Sequence, residues 1–188
     1  GQRVAFASDR GGNYDIYVMN SDGSGLTLIA DGPGRDLHPV WSPDGAQIAF
    51  ESNRDGNWDV YAANADGSGV LINLTNHPAN DGNPAWSPDG GRIAFASNRG
   101  GPFEIYVIDQ LSPTTVLNLT NNPANDVQPA WSPDGANIVF RSDRSGDNEI
   151  YLLDVNEPAR TRRITFHPGD DTTPAFAPDG RRVAFASN

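Results

Sequence analysis

Trp41-Ser42-Pro43-Asp44-Gly45 decides the fold. It returns as Trp86-Ser87-Pro88-Asp89-Gly90, as Trp131-Ser132-Pro133-Asp134-Gly135, and in altered form as Phe176-Ala177-Pro178-Asp179-Gly180, each copy 45 residues after the last. A fixed period of this length belongs to repeat architectures, in which each unit buries its apolar face against its neighbours. Pro-Asp-Gly supplies a turn, since proline presets φ and glycine tolerates positive φ.

Outward from the turn, every copy carries the same pieces. An apolar run ending in phenylalanine comes next: Ile48-Ala49-Phe50, Ile93-Ala94-Phe95, Ile138-Val139-Phe140 and Val183-Ala184-Phe185, with Val4-Ala5-Phe6 opening the chain. Ser-Asn/Asp-Arg follows, ending at Arg10, Arg54, Arg99 and Arg144, then an acidic residue before a β-branched–Tyr pair ending at Tyr17, Tyr61, Tyr106 and Tyr151. A last short run (Leu28-Ile29, Asn73-Leu74-Thr75, Asn118-Leu119-Thr120, Arg163-Ile164-Thr165) precedes Pro39, Pro84, Pro129 and Pro174. These segments of about five residues, β-branched and aromatic, are separated by Gly, Pro, Asn and Asp clusters and read as strands. No stretch holds a helical apolar period, so the expected class is all-β. Four strands per repeat is the content of a propeller blade.

These residues, Pro-x-Trp-Ser-Pro-Asp-Gly with Ile-Ala-Phe-x-Ser-Asn-Arg and Ile-Tyr behind it, resemble the TolB-type β-propeller repeat. That repeat is a WD-repeat-like blade, also found in the propellers of tricorn protease and several peptidases. The resemblance covers nearly the whole chain. It implies a β-propeller of four-stranded antiparallel blades, about four per chain, and a protein or peptide partner in the bacterial envelope, hence a periplasmic or extracellular location. For TolB itself it implies a role in the Tol–Pal system. The matching residues are general blade residues, and none is expected to belong to TolB's separate N-terminal domain, so that partner is not carried over.

Naming the strands of a blade A (inner) to D (outer), residues 1–188 read as one propeller domain. It holds a partial blade at 2–30, full blades at 38–75, 83–120 and 128–166, and a partial blade at 173–187. Strand B occurs five times and A, C and D four times each. The surplus leaves three closures: a four-bladed ring with one B strand displaced, an open segment of a larger ring, or a dimer sharing eight blades. Exposed strand edges are an aggregation liability, so self-association, a dimer first, is the expectation.

Acidic residues outnumber basic ones 24 to 13, a net charge of −11, and every basic residue is arginine. This argues against nucleic-acid or anionic-membrane surfaces. There is no cysteine, hence no disulfide and no thiol chemistry. No apolar stretch approaches the length of a membrane span.

Candidate binding residues lie at the entrance to the inner strands. Asp36, Asp81, Asp126 and Asp171 recur at 45 residues and are expected to ring the mouth of a channel, where carboxylates can hold a cation or a basic peptide. The stronger reading pairs them with the arginines of the B-to-C loops, for example Asp81 with Arg54, to pin those loops. Two residues on, His38, Asn83, Gln128 and Thr173 vary while staying polar, as a binding site requires and a solvated channel tolerates. Tyr14, Trp58, Phe103 and Asn148 lie on the same face. Trp58 and Phe103 can anchor a partner, though packing between blades is the plainer use. Trp41, Trp86, Trp131 and Phe176 read as packing residues.

Asn20-Ser21-Asp22-Gly23 and Asn64-Ala65-Asp66-Gly67 look like half of a calcium loop, but Val18 and Ala62 stand where the first ligand should be. The sequons at Asn73 and Asn118 are ordinary repeat residues. His38, His77 and His167 lack zinc spacing, so no metal site and no cofactor are assigned. Gly-x-Ser-x-Gly and His-Glu-x-x-His are missing, and without lysine there is no P-loop. Catalysis needs an asymmetric constellation, whereas most charged residues here recur with the repeat. The chain therefore reads as a non-catalytic binding or scaffold module. Two alternatives stand beside it: a substrate-gating or catalytic propeller of a peptidase, lyase or hydrolase, and a fragment or engineered array without a function of its own.

Overall fold

The computed structural model describes residues 2–110 and 115–188. Its contacts divide the chain into two compact units, Gly1–Pro84 and Ala85–Asn188, taken in turn.

In the first unit, β1 (Arg3–Ser8), β2 (Asp15–Asn20) and β3 (Thr27–Ala30) form one antiparallel sheet. A four-stranded sheet follows from β4 (Asp36–Trp41), β5 (Gln47–Ser52), β6 (Asp59–Asn64) and β7 (Ile72–Asn73) in chain order. Ile48, Ala49 and Phe50 are all 0% exposed, so β5 is covered on both faces. That is why the run is continuously apolar rather than alternating. Ile16, Val18, Ile29, Ile48, Phe50 and Tyr61 form the core of this unit.

The unit boundary falls within β8 (Asp81–Trp86), whose sheet continues through β9 (Arg92–Ser97), β10 (Glu104–Asp109) and β11 (Val116–Asn118). The second unit then repeats the order with β12 (Asp126–Trp131), β13 (Asn137–Ser142), β14 (Glu149–Asp154) and β15 (Arg162–Arg163), and ends on the pair β16 (Asp171–Phe176) and β17 (Val183–Ser187). Its core holds Ile105, Val107, Leu119, Trp131, Ile138, Phe140 and Leu153. A 3₁₀ turn, Pro158–Arg160, sits before β15.

The Trp-Ser-Pro-Asp-Gly pieces are the A-to-B turns, closed from within. Ser87 Oγ donates to Asp89 Oδ1 at 2.5 Å and accepts the Arg92 N–H at 2.9 Å, while the Gly91 N–H donates to Asp89 Oδ1 at 3.0 Å. Gly90, at φ 72°, donates its N–H to the Ser87 carbonyl at 2.9 Å. The same bonds recur around Ser42 and Ser132. Phe–Tyr stacks join strands B and C, with centroids 5.9–6.0 Å apart in all four copies.

The outer strands are shorter than the sequence predicts: β7 and β15 have two residues each. A threonine side chain takes over where the ladder stops. Thr75, Thr120 and Thr165 accept the backbone N–H of Val60, Ile105 and Ile150 on Oγ1 at 2.9–3.0 Å.

Candidate functional site

Each inner strand opens on aspartate, a variable residue, a variable polar residue and proline. The third residue lies at positive φ in every copy: His38 at 51°, Asn83 at 50°, Gln128 at 57° and Thr173 at 51°. The proline that follows has no N–H to give the ladder. The pairing skips there, between Leu37 and Val40, Val127 and Ala130, and Thr172 and Ala175, which makes the piece a β-bulge. A left-handed backbone costs a non-glycine residue roughly 1–2 kcal/mol. The bulge turns these side chains out of the ladder, leaving His38 and Thr173 exposed and Asn83 and Gln128 half-buried.

In the first unit the bulge residue is tied to a carboxylate. Glu51 is buried at 9% exposure, accepts His38 Nδ1–H on Oε1 at 2.7 Å and accepts the Asn83 N–H on Oε2 at 2.9 Å. With Nδ1 committed to Glu51, His38 presents Nε2 to solvent, its side chain being 61% exposed. The hydrogen bond to Glu51 raises the imidazole pKa above its ordinary value, against the opposing effect of burial.

Glu51 is not among the candidates read from recurring polar residues, yet the sequence carries a signal for it. The corresponding position holds Ala7, Ala96 and Ala186 in other copies and Arg141 in one. Gly82 belongs to the same departure. A Cβ there would lie 2.5 Å from Glu51 Oε2, and the other copies carry Leu37, Val127 and Thr172 instead.

In the second unit a neutral side chain does the same job. Gln128 accepts the Thr173 N–H on Oε1 at 3.0 Å, which leaves its NH2 to point elsewhere. Arg141 is half-buried, and its Nε–H is sealed from solvent with no acceptor among the described residues. Asp143 and Asp170 are held below the usual carboxylate range, chiefly by hydrogen bonds from Asn125 and Asn148 respectively, with Arg141 adding to both.

The four aspartates are enclosed: Asp36, Asp81 and Asp126 are 0% exposed and Asp171 is 1%. Arg54 Nη2 donates to Asp36 Oδ2 at 2.7 Å and Arg144 Nη2 to Asp126 Oδ2 at 2.6 Å. Arg54 thus pairs with Asp36, not with the expected Asp81. Asp36 faces Ser52 across the β4–β5 ladder, and Arg54 lies two residues past Ser52, so the partner comes from the same sheet. Each of these arginines also donates from Nε to a serine Oγ at 2.9 Å, Ser52 or Ser142, and stacks over the tyrosine of its sheet. The Oδ1 atoms of Asp36 and Asp126 are buried with no hydrogen-bond donor among the described residues, as are both carboxylate oxygens of Asp171.

Trp58 and Phe103 are half-buried, as are Tyr14 and Asn148. Their carbonyls accept the first N–H of the following inner strand: Tyr14 from Asp36, Trp58 from Asp81, Phe103 from Asp126 and Asn148 from Asp171, at 2.7–2.8 Å. These positions therefore link consecutive repeats through the backbone, independently of the side chain. His77 accepts the Ala79 N–H on Nδ1 at 3.1 Å, and His167 is exposed. Asp22 Oδ1 closes its own turn by accepting from Ser24 N and Oγ. Among the described residues, no three His, Cys, Asp or Glu side chains gather where they could hold a metal ion. No helix there is long and apolar enough to cross a membrane.

Four-stranded antiparallel sheets recurring with one inner-strand bulge and one turn define a β-propeller protein built of repeated blades. The TolB beta propeller domain model matches residues 1–73 and 68–187, and the chain belongs to that family. A stretch of 28 residues is 64% identical to the Tol-Pal system protein TolB of Geobacter metallireducens, covering 15% of this chain and 6% of that one. One of 43 residues is 46% identical to the same protein of Geobacter sulfurreducens, covering 23% and 10%. The matches thus span a tenth or less of those relatives' length. Among solved structures, TolB from Acinetobacter baumannii superposes with a TM-score of 0.85 at 27% identity, over 98% of this chain and 46% of that one. An oligogalacturonate lyase from Vibrio parahaemolyticus superposes with a TM-score of 0.75 at 16% identity, over 100% and 56%, a likeness of fold alone.

Proposed function

We propose that the chain is a non-catalytic binding module that takes a protein or peptide partner at the openings of its inner strands. One observation carries this reading. At His38, Asn83, Gln128 and Thr173 the repeat keeps a costly backbone conformation and varies only the side chain. The repeated backbone is the scaffold, and the variation of the side chain it turns out of the ladder fits a binding surface better than a packing need, because these residues do not fill the core. Membership of the TolB propeller family and the Tol-Pal proteins among the relatives support a protein partner and a periplasmic location. Carboxylates recur in every blade, but those of the inner strands are enclosed, which favours binding over catalysis. The reading also includes self-association as a dimer, supported by Val4 and Phe185 lying 42% and 44% exposed. Light scattering near twice 20.1 kDa agrees with it and a monomer over the concentration series removes it.

The test is selection of linear peptides from a displayed dodecapeptide library on the intact chain. Rebinding is then measured on two variants, His38→Ala/Asn83→Ala and Gln128→Ala/Thr173→Ala. At least one pair is expected to weaken the selected peptide about tenfold, a loss of about 1.4 kcal/mol. Unchanged affinity in both variants contradicts the assignment of these residues.

A further inference from the structure

His38, Glu51, Gly82 and Asn83 depart from the repeat together and close on one another in the first unit. Glu51 stands where alanine is usual, Gly82 clears the space its carboxylate fills, and that carboxylate holds both His38 Nδ1 and the Asn83 N–H. A structural need alone does not call for this set. In the second unit Gln128 satisfies the equivalent N–H with no titratable group. What the first unit gains is an imidazole held by one nitrogen, with the other in solvent.

We infer that His38, seated on Glu51, is a proton-gated contact for an acidic side chain of the bound partner. Protonated, His38 offers Nε2–H to a carboxylate and the pair with Glu51 is neutral. Unprotonated, Nε2 is an acceptor only, the pair carries the negative charge of Glu51, and the carboxylate is turned away. Other charged groups on the elements packed against β4 are Arg3 on β1 and Asp15 on β2, with Asp36 on β4 itself; Asp81 opens β8, whose Asn83 reaches Glu51. Asp36 is already held by Arg54. Glu51 is the charged group that chiefly raises the His38 value, through its hydrogen bond and its charge. The sign follows: binding of acidic partners strengthens as pH falls through the raised His38 value.

This inference rests on the peptide-binding reading, and the experiment separates the two. The His38 imidazole is followed by long-range ¹⁵N NMR across a pH series. The probes are acetyl-Gly-Glu-Gly amide and its Gln counterpart, titrated at one pH below and one pH above the His38 midpoint read from that series, which is expected above the ordinary histidine value of about 6.5. The Glu peptide is expected to bind about three- to fivefold more tightly than the Gln peptide at the lower pH, the size of an exposed ion pair, and equally at the higher. His38→Gln, which places at 38 the residue found at 128, should abolish the preference. Glu51→Gln should lower the imidazole midpoint and move the binding profile with it. Equal binding of both peptides at both pH values overturns the gate while leaving the peptide site standing. A preference that survives His38→Gln, or a midpoint unmoved by Glu51→Gln, overturns it too. Absence of binding by either peptide also overturns the gate, and the selected peptides then judge the site on their own.

Discussion

Asp36 shows what one residue can do when the chain closes over it. Its carboxylate is wholly buried and a single guanidinium, Arg54 Nη2, meets it at 2.7 Å. Removing one member of such a pair strands the other charge, at about 3–5 kcal/mol. We therefore expect Arg54→Leu to lower the denaturant midpoint strongly. Asp36→Asn added to it should cost less than the sum of the single changes, with a coupling of about 0.5–3 kcal/mol. Additive losses would deny the pair. The sequence offered both residues and the correct chemistry but paired Arg54 with Asp81, because sequence spacing does not show which ladder brings an arginine to a carboxylate. Two titrations set the pH behaviour at this scale. The His38 value is raised, so its contribution to stability is full below the unfolded histidine value and is lost as pH rises through the folded one. Asp44, Asp89 and Asp134 are lowered, chiefly by the serine of each turn, so theirs is present above the unfolded value and lost as pH falls through the folded one.

Bulge and outer strand divide what was legible among the elements. The turns and central strands could be read directly, since Trp-Ser-Pro-Asp-Gly and Ile-Ala-Phe state their own geometry. The bulge could not, because His, Asn, Gln and Thr share no preference that announces positive φ, and only proline hints that the ladder breaks. The outer strands are shorter than their residues suggest because Thr75, Thr120 and Thr165 look like strand residues while acting as side-chain caps on the ladder. Thr173 gives the sharpest check of the bulge, since a β-branched residue at φ 51° is strained. Thr173→Gly is expected to raise stability by about 1 kcal/mol, read as a higher denaturant midpoint, while weakening any peptide that contacts this strand. A loss of stability would mean that the Thr173 side chain makes contacts that outweigh its backbone cost.

Across the whole molecule, repetition separates scaffold from site. Phe50, Phe95 and Phe140 are all 0% exposed, and the Phe–Tyr stacks keep one spacing in every copy. The repeat is therefore the part that folds. The proposed binding role rests on the positions where copies differ, and the sequence marks them most clearly at Glu51 and Arg141 among alanines. Both escaped a search for recurring polar residues because such a search looks for sameness. The fold was legible because period and turn chemistry repeat. The site was only half legible, because Glu51 acquires meaning once β4, β5 and β8 bring it between His38 and Asn83. The measurement that bears most directly on this account is a fluorescence anisotropy titration of one selected peptide against two variants. Glu51→Ala restores the residue of the other copies, and Asp44→Ala removes a carboxylate that recurs in every turn. The account predicts that Glu51→Ala weakens the peptide about tenfold and Asp44→Ala leaves it unchanged. Equal effects of the two, or a loss with Asp44→Ala alone, would contradict it.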